Sequence, residues 1–388
     1  MSSVSHIILC TLFFYVFYVY GVRIGYSKQA SVYWRNCIIL IIIWCIVEGT
    51  RYGRGPDYFW YKFQYEHSDQ ITSRTQIVFF TINRILLWMS LPYPFAFSLY
   101  AFIFIISVLY LTRYWKREAA FMPIFMLCSV LEFHETFVRQ ILSIGMVIFS
   151  LKLCLDKNYK YAVLWCVLSF YTHNGALLLF IPALLVYLFF AKKPIPALYA
   201  VPIYLIIALF SNFNWIEGVQ DVLSRISVNI ALFQRYLNRS EYWFSENAIR
   251  EEWKQSTFAF IMRCIFDISF ILLSYRMLYH AKKEHQRTLI TSYNLSVIGC
   301  ILYRLFWYLE MMRRIIFPLY ILWFIPVGYA FYVFQRTKDI KIIMIKILIV
   351  LYLFLYQGRF VFFNPTASYL WDQRVKEHIK GTYVIRDI

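Results

Sequence analysis

Charged residues are scarce in this chain. Asp, Glu, Lys and Arg make up 15% of its 388 residues and hydrophobic residues 61%, whereas a soluble domain would carry about 25% charge. Several windows (38–47, 95–111 and 342–356) lack even the polar stripe of a water-facing helix, so lipid or other helices must surround them. The strict two-residue alternation of a membrane barrel is also missing. The sequence therefore predicts an all-α, polytopic integral membrane protein.

Metal-binding and disulfide patterns are missing too. The eight cysteines lie in or beside apolar runs and none forms a C-x-x-C pair, which indicates buried filler residues rather than zinc ligands or a disulfide framework. No set of metal ligands has a convincing spacing, so we expect neither a metal nor a cofactor. The formal net charge is +18, but the basic residues are scattered among short loops. We therefore expect a lipid bilayer and no nucleic acid as partner.

Apolar runs separated by basic residues predict about twelve transmembrane helices in a single domain, residues 1–388. Two of them, 119–132 and 159–172, are shorter than the roughly 20 residues of a full crossing, which favours thinned, tilted or broken helices. The first lacks a basic leader and a cleavage site, so we interpret it as a retained span, with a signal peptide as the alternative. The predicted spans are residues 4–22, 34–49, 94–111, 119–132, 137–155, 159–172, 175–191, 196–211, 257–279, 288–306, 313–334 and 340–357.

The basic loops predict the orientation. Loops at residues 23–35, 112–118, 152–160, 192–193, 280–287 and 335–341 are rich in Lys and Arg. Placing them all on the cytoplasmic side requires residues 75–91, with polar Asn83 and Arg84, to form an amphipathic or re-entrant helix on the outer surface. Residues 51–91 then form an outer loop with an interfacial helix, and residues 211–256 a large outer loop or lid.

The segment "RYGRGPDYFWY" places charges just beyond the second predicted span. Its glycines and its proline prevent a continuing helix and permit a tight turn, which would bring the guanidinium groups of Arg51 and Arg54 and several backbone amides to one point. Diphosphate oxygens are held in this way. The alternative is that the arginines extend to the membrane interface within an aromatic belt of Tyr52, Tyr58, Trp60 and Tyr61.

A second polar cluster, "LEFHETFVRQ", surrounds the start of the fifth predicted span. Glu132, Glu135 and Arg139 share one helix face, with Gln140 beside them. A Glu135–Arg139 pair would contribute a few tenths of a kcal/mol if it were exposed. Placing an arginine at the membrane edge is unfavourable by more free energy than such a pair would return, so the cluster indicates a functional site.

Two further clusters fall on the predicted outer side. In "YTHNGA", His173 lies at a turn before a helix, where the positive helix end favours a neutral imidazole or an anion; a capping role is the alternative. In "YLEMMRRIIFPLY", Arg313 and Arg314 break the rule that basic residues stay inside, which a bound anion would explain.

Together these motifs resemble the EpsG family of polysaccharide polymerases, relatives of the Wzy polymerases of O-antigen, capsule and exopolysaccharide. The R-x-G-x-G-x-D-Y-x-x-Y pattern is similar to the run from Arg51 to Tyr61. The R-Q pair at the head of a span, with a small residue three positions on, is similar to Arg139, Gln140 and Ser143. The aromatic-His element resembles Tyr171 and His173 more loosely. The family's late arginine corresponds to Arg313 or Arg314, and its FNP tail motif to residues 363–365.

The resemblance implies a glycosyltransferase, with a GT-C-like bundle as one expected form, in the bacterial inner (cytoplasmic) membrane. It would transfer an oligosaccharide from undecaprenyl diphosphate to another lipid-linked repeat unit at a site facing the periplasm or outside. A chain-length regulator is a further expected partner. The implied diphosphate ligands are Arg51, Arg54, Arg139, Arg313 and Arg314. The candidate bases are Asp57 and His173, ranked first, then His134, Glu135 and Glu132. The implied substrate-binding residues are Tyr58, Tyr61, Gln140 and Glu132.

Other functions stay open at this point. A flippase or exporter of lipid-linked oligosaccharide also needs arginines for a diphosphate, but it should carry them through the depth of its cavity, whereas here they concentrate at the predicted outer rim. An O-antigen ligase shares the chemistry and differs in its acceptor. A membrane O-acyltransferase would place its histidine where cytosolic acyl donors reach.

Overall fold

The computed structural model describes residues 3–50, 57–71, 73, 75–113, 115–130, 138–173, 185, 189, 192–210, 256–307 and 310–358. Every regular element among them is helical, as predicted. The α-helices, in chain order, are α1 (Ser3–Gly25), α2 (Ala30–Gly49), α3 (Tyr58–Glu66), α4 (Ile77–Trp88), α5 (Tyr93–Leu111), α6 (Met122–Val130), α7 (Val138–Leu155), α8 (Tyr159–Thr172), α9 (Ala197–Phe210), α10 (Thr257–Leu278), α11 (Lys283–Leu305), α12 (Glu310–Tyr320), α13 (Phe324–Val333) and α14 (Ile340–Tyr352).

Five helical segments of the described residues are long and apolar enough to cross a membrane. They are Ala30–Gly49, Tyr93–Leu111, Val138–Leu155, Thr257–Leu278 and Met312–Val333. The prediction of a multi-pass membrane protein is confirmed at this level. The total of about twelve spans and the GT-C-like arrangement stay predictions, and the predicted span 175–191 and the segment 211–255 lie outside the described residues.

Several boundaries differ from the prediction. Helix α11 begins at Lys283 and includes most of the charged stretch predicted as a loop up to residue 287. His285 in its first turn is only 3% exposed, so burial within the bundle outweighs the polar composition. A short 3₁₀ turn, Lys116–Ala119, leads into the predicted span 119–132, within which the structure has the nine-residue α6. A second 3₁₀ turn, Ile321–Trp323, separates α12 from α13.

Close helix packing places the remaining elements. Helix α7 packs against α5 and α8, and α11 against α12. Gly145 permits the close contact of α7 with α5, because a Cβ atom there would lie 2.8 Å from the Cα of Phe104 on α5. Gly299 does the same on α11, where a Cβ atom would collide with the backbone of Tyr320. Close-packed interiors do not absorb such added atoms without moving a helix.

Three of the six loops predicted to share one side are linked by ion pairs at one end of the bundle. The Nζ atom of Lys282 lies 2.8 Å from a carboxylate oxygen of Glu118, and Arg276 lies 2.6 Å from Asp339. These residues come from or adjoin the predicted cytoplasmic loops 112–118, 280–287 and 335–341. The structure therefore brings these three loops together, and the placement of the other loops on the same side stays a prediction.

Helices α3 and α4 pack on α5 and α7 through a separate aromatic core. Its buried rings include Tyr58, Tyr61, Phe79, Phe97 and Tyr100. Helix α4 has twelve residues, about 18 Å of helix, which is shorter than the roughly 30 Å hydrocarbon layer. A helix over the segment 75–91 is thus confirmed, and its interfacial or re-entrant position stays a prediction.

Candidate active site

Arg139 lies in the first turn of α7 and is held by neutral partners. Its Nη1 donates a hydrogen bond to Oε1 of Gln76, the residue just before α4. Its guanidinium carbon lies 5.4 Å from the ring centre of Tyr61 and 5.5 Å from that of Phe79. Its buried Nε has no hydrogen-bond partner among the described residues. A buried donor without a partner is costly, so an added acceptor would stabilise this site.

Gln140, the next residue, joins α7 to α12. Its Nε2 donates a hydrogen bond to the main-chain carbonyl of Arg314, and its side chain is only 4% exposed. Its Oε1 is buried and has no hydrogen-bond partner among the described residues. The R-Q pair thus places a guanidinium group and an amide beside the helix that carries Arg314.

His173 follows α8 directly and brings a third element to the same place. Its backbone is extended, with φ −151° and ψ 115°, and its N–H donates to the carbonyl of Ser169 at 3.0 Å. Burial, and then the positive charges of Arg139 and Arg314, lower the pKa of His173 from 6.5 to about 3. The imidazole is therefore neutral at physiological pH, and two guanidinium groups lie close enough to act on it.

A pair of serines fixes the distance between the two helices that carry Arg139 and His173. The hydroxyl oxygens of Ser143 and Ser169 are 2.7 Å apart, and Ser169 also donates to the carbonyl of Ser143 at 3.0 Å. Both serines are buried. Ser143 is the small residue three positions after the R-Q pair, so its function in this fold is to lock α7 against α8.

Helix α3 supplies the aromatic side of the site. Tyr61 is 6% exposed, and its N–H donates to the carbonyl of Asp57 at 3.0 Å, so Asp57 lies one turn before it. Tyr58 is completely buried, with its ring centre 5.8 Å from that of Tyr93 and 5.7 Å from that of Phe97. The ring of Tyr58 therefore packs in the protein core, while that of Tyr61 lies beside Arg139.

The two late arginines take different positions. Arg314 acts electrostatically on His173. Arg313 is 8% exposed, and its guanidinium carbon lies 5.1 Å from the ring of Trp307. The charges of Arg314 and Arg139 both act on His173, and the assignment of either late arginine to the site stays a prediction. The other predicted site residues, Arg51, Arg54, Glu132, His134 and Glu135, lie outside the described residues.

Sequence reasoning missed Gln76 and a second polar cluster deeper in the bundle. There, Nε of Arg263 lies 3.3 Å from a carboxylate oxygen of Asp267 on the same helix, α10. Asp267 also accepts hydrogen bonds from the hydroxyls of Tyr204 at 2.8 Å and Tyr320 at 3.2 Å, and Arg263 donates to that of Tyr352 at 2.8 Å. The i, i+4 spacing of opposite charges within an apolar span was the signal available.

Metal ligands do not cluster in the part of the chain described. No three His, Cys, Asp or Glu side chains there come close enough together to hold a metal ion.

Comparison with known proteins identifies the family of the chain. The EpsG family model matches residues 33–371, a range that includes all four polar clusters, and this confirms the resemblance drawn from the motifs. No curated protein and no solved structure matches the chain.

Proposed function

The chain belongs to the EpsG family, whose members are Wzy-type or exopolysaccharide polymerase-like membrane proteins, and from this premise we propose which reaction it performs and where. It extends a surface polysaccharide by transferring glycan from a lipid diphosphate, undecaprenyl diphosphate in bacteria, to another lipid-linked repeat unit. The observation that carries the proposal is the meeting of Arg139, Arg314 and His173, which are far apart in sequence.

Charge development in this reaction explains why guanidinium groups are needed. The bond between the anomeric carbon and the phosphate oxygen breaks, and its electron pair stays with the lipid diphosphate. Preorganised cations stabilise that developing charge most strongly where water is excluded. Arg139 suits this role, because its hydrogen-bond partner Gln76 is neutral and its buried Nε awaits an acceptor. Arg314, with Arg51 and Arg54 from the outer loop, would complete the diphosphate site.

The acceptor hydroxyl attacks the anomeric carbon and must lose its proton to a base. His173 is neutral, as a base must be, but a pKa of about 3 makes it a weak one. A bound diphosphate would offset the charges of Arg139 and Arg314, which lower that pKa, and would therefore raise it toward the range of an effective base. Asp57, one turn before Tyr61, is the alternative base. Donor binding thus prepares His173 for the proton transfer.

The site faces the outside of the cytoplasmic membrane in this proposal. Support comes from three of the basic loops, which meet at one end of the bundle, whereas Arg139, His173 and Arg314 begin or end helices on the opposite side of the predicted topology. Tyr61 is expected to contact the bound substrate, and no metal takes part. A chain-length regulator would act on the same complex from outside.

Deletion of the gene with complementation tests the function. We expect the deletion strain to carry surface glycan with single repeat units in place of long chains. The wild-type gene should restore long chains, whereas Arg51→Ala, Arg139→Ala and His173→Ala should not. Arg35→Ala is the matched control, because Arg35 is exposed on α2 and lies in a predicted cytoplasmic loop.

Each other outcome has a definite meaning when protein levels are equal. Full-length polymer from all three variants would refute the site. A deletion strain without even single units at its surface would favour a flippase or exporter. Repeat units that polymerise normally but fail to reach their final acceptor would favour a ligase.

A further inference from the structure

Helix α12 contains a proline whose effect falls on a site residue. In an α-helix, each amide N–H donates to the carbonyl four residues earlier. Pro318 lies inside α12 and has no N–H, so it cannot donate to the carbonyl of Arg314. That carbonyl belongs to the residue whose guanidinium group acts on His173.

Gln140 supplies the missing donor. Its Nε2 donates to the carbonyl of Arg314 across the interface between α7 and α12. Gln140 is 4% exposed, so water does not readily replace it, and a buried carbonyl without a donor would be unfavourable. A carbonyl only accepts, so the amide nitrogen must face it and the amide oxygen must face away.

We propose that Gln140 is a positioning residue that docks α12 onto α7 by donating to the carbonyl to which Pro318 cannot donate, and thereby holds Arg314 beside Arg139 and His173. The R-Q pair then has two functions: the arginine meets the ligand, and the glutamine attaches the helix that brings the second arginine. The inference deepens the proposed function and rests on it for its activity measurement alone.

A double-mutant cycle separates this role from direct substrate binding. Gln140→Met keeps the length of the side chain and removes the donor. Pro318→Ala restores an amide N–H that can satisfy the Arg314 carbonyl within α12. We expect Gln140→Met to lower the kcat for polymer formation by about tenfold, in line with the loss of one buried hydrogen bond. In the Pro318→Ala background, the same change at Gln140 should lower kcat by less than about threefold.

A second measurement on substrate-free protein makes the test independent of the reaction. The pKa of His173, followed by NMR and assigned by the signal lost in His173→Asn, reports the proximity of Arg314. Gln140→Met should raise that pKa, because Arg314 is no longer held close, and Pro318→Ala in addition should return it toward the wild-type value. If the pKa follows this pattern while polymer formation is unaffected, the docking is correct and the proposed function is wrong.

Two results would overturn the proposal. One is a wild-type pKa of His173 in Gln140→Met. The other is an equal loss of kcat on changing Gln140 in both backgrounds, which would assign the residue to the substrate instead. Thermal unfolding in detergent checks that each variant is folded. Pro318→Val, closer to proline in volume, replaces Pro318→Ala in the cycle if the smaller residue does not fold.

Discussion

Two arginines in this protein, one buried and one half-buried, have opposite surroundings. Arg263 is 4% exposed and lies beside Asp267, which two tyrosine hydroxyls also contact. Arg139 donates to the neutral amide of Gln76, and no carboxylate lies within salt-bridge distance of it among the described residues. The first charge is balanced within the protein, so it suits a structural role. The second has no carboxylate partner in the part of the chain described, and this difference is why we propose a structural role for Arg263 and anion binding for Arg139.

Loss of Arg139 should have the largest effect on activity. Arg139→Ala removes the cation that we propose faces the leaving group, and comparable losses of a transition-state donor lower the rate about 10²–10³-fold. Folding should change little, because the partner left behind is a neutral amide. Polymer formation in membranes of equal protein content measures the effect. Wild-type activity of Arg139→Ala would contradict the proposed difference in role between Arg139 and Arg263.

Arg263→Ala should act on folding instead. It leaves the carboxylate of Asp267 buried without its cation, a change that typically destabilises a protein by about 3–5 kcal/mol. The yield and thermal unfolding temperature of the protein in detergent would show the loss. The double variant Arg263→Met with Asp267→Leu removes both charges and should recover much of the stability. If that variant folds but fails to polymerise, the second cluster takes part in the reaction after all.

His173 gives a smaller, pH-dependent test. Its pKa of about 3 in the folded protein lies below the usual 6.5, so between these values the unfolded chain binds a proton that the folded chain does not. The stability from neutral His173 is therefore complete above pH 6.5 and is lost as the pH falls toward 3. Arg139→Gln should raise this pKa, whereas Arg139→Lys, which keeps the charge, should raise it less. An NMR titration in which both variants match the wild type would contradict the placement of Arg139 near His173.

Removal of metal ions should have the smallest effect. Guanidinium groups supply the positive charge in this account, so polymer formation in washed membranes should persist in EDTA. Activity that EDTA abolishes and Mg²⁺ restores would show that the arginines are not sufficient.

Local sequence patterns predicted the helical class, the position of the R-Q pair at the start of a helix and the position of His173 just after one. Each of these depends on neighbouring residues alone. The meeting of Arg139 with Arg314 depends on how α7 and α12 pack, which no spacing in the sequence encodes. Gln76 looked like an ordinary polar residue before an apolar helix, and its importance appears only once α4 lies against α7.

Two other outcomes show where composition misleads. The charges of Lys283 and Glu284 indicated a loop, yet α11 begins there, because the neighbouring His285 is buried. The aromatic residues after α2 were compatible with an interfacial belt, yet Tyr58 is wholly buried in the core formed with α5. Burial is a property of the packed bundle, so hydropathy averages and charge runs do not determine it.

Direct binding of a lipid diphosphate to the purified protein tests the central claim most closely. A short-chain polyprenyl diphosphate would be titrated into wild-type protein, Arg139→Ala and the control Arg35→Ala in detergent, with the matching monophosphate as a second ligand. We predict that Arg139→Ala weakens diphosphate binding at least about tenfold, as expected for loss of a buried charge-assisted hydrogen bond, while Arg35→Ala binds like the wild type. Equal diphosphate affinity of all three proteins would contradict the account.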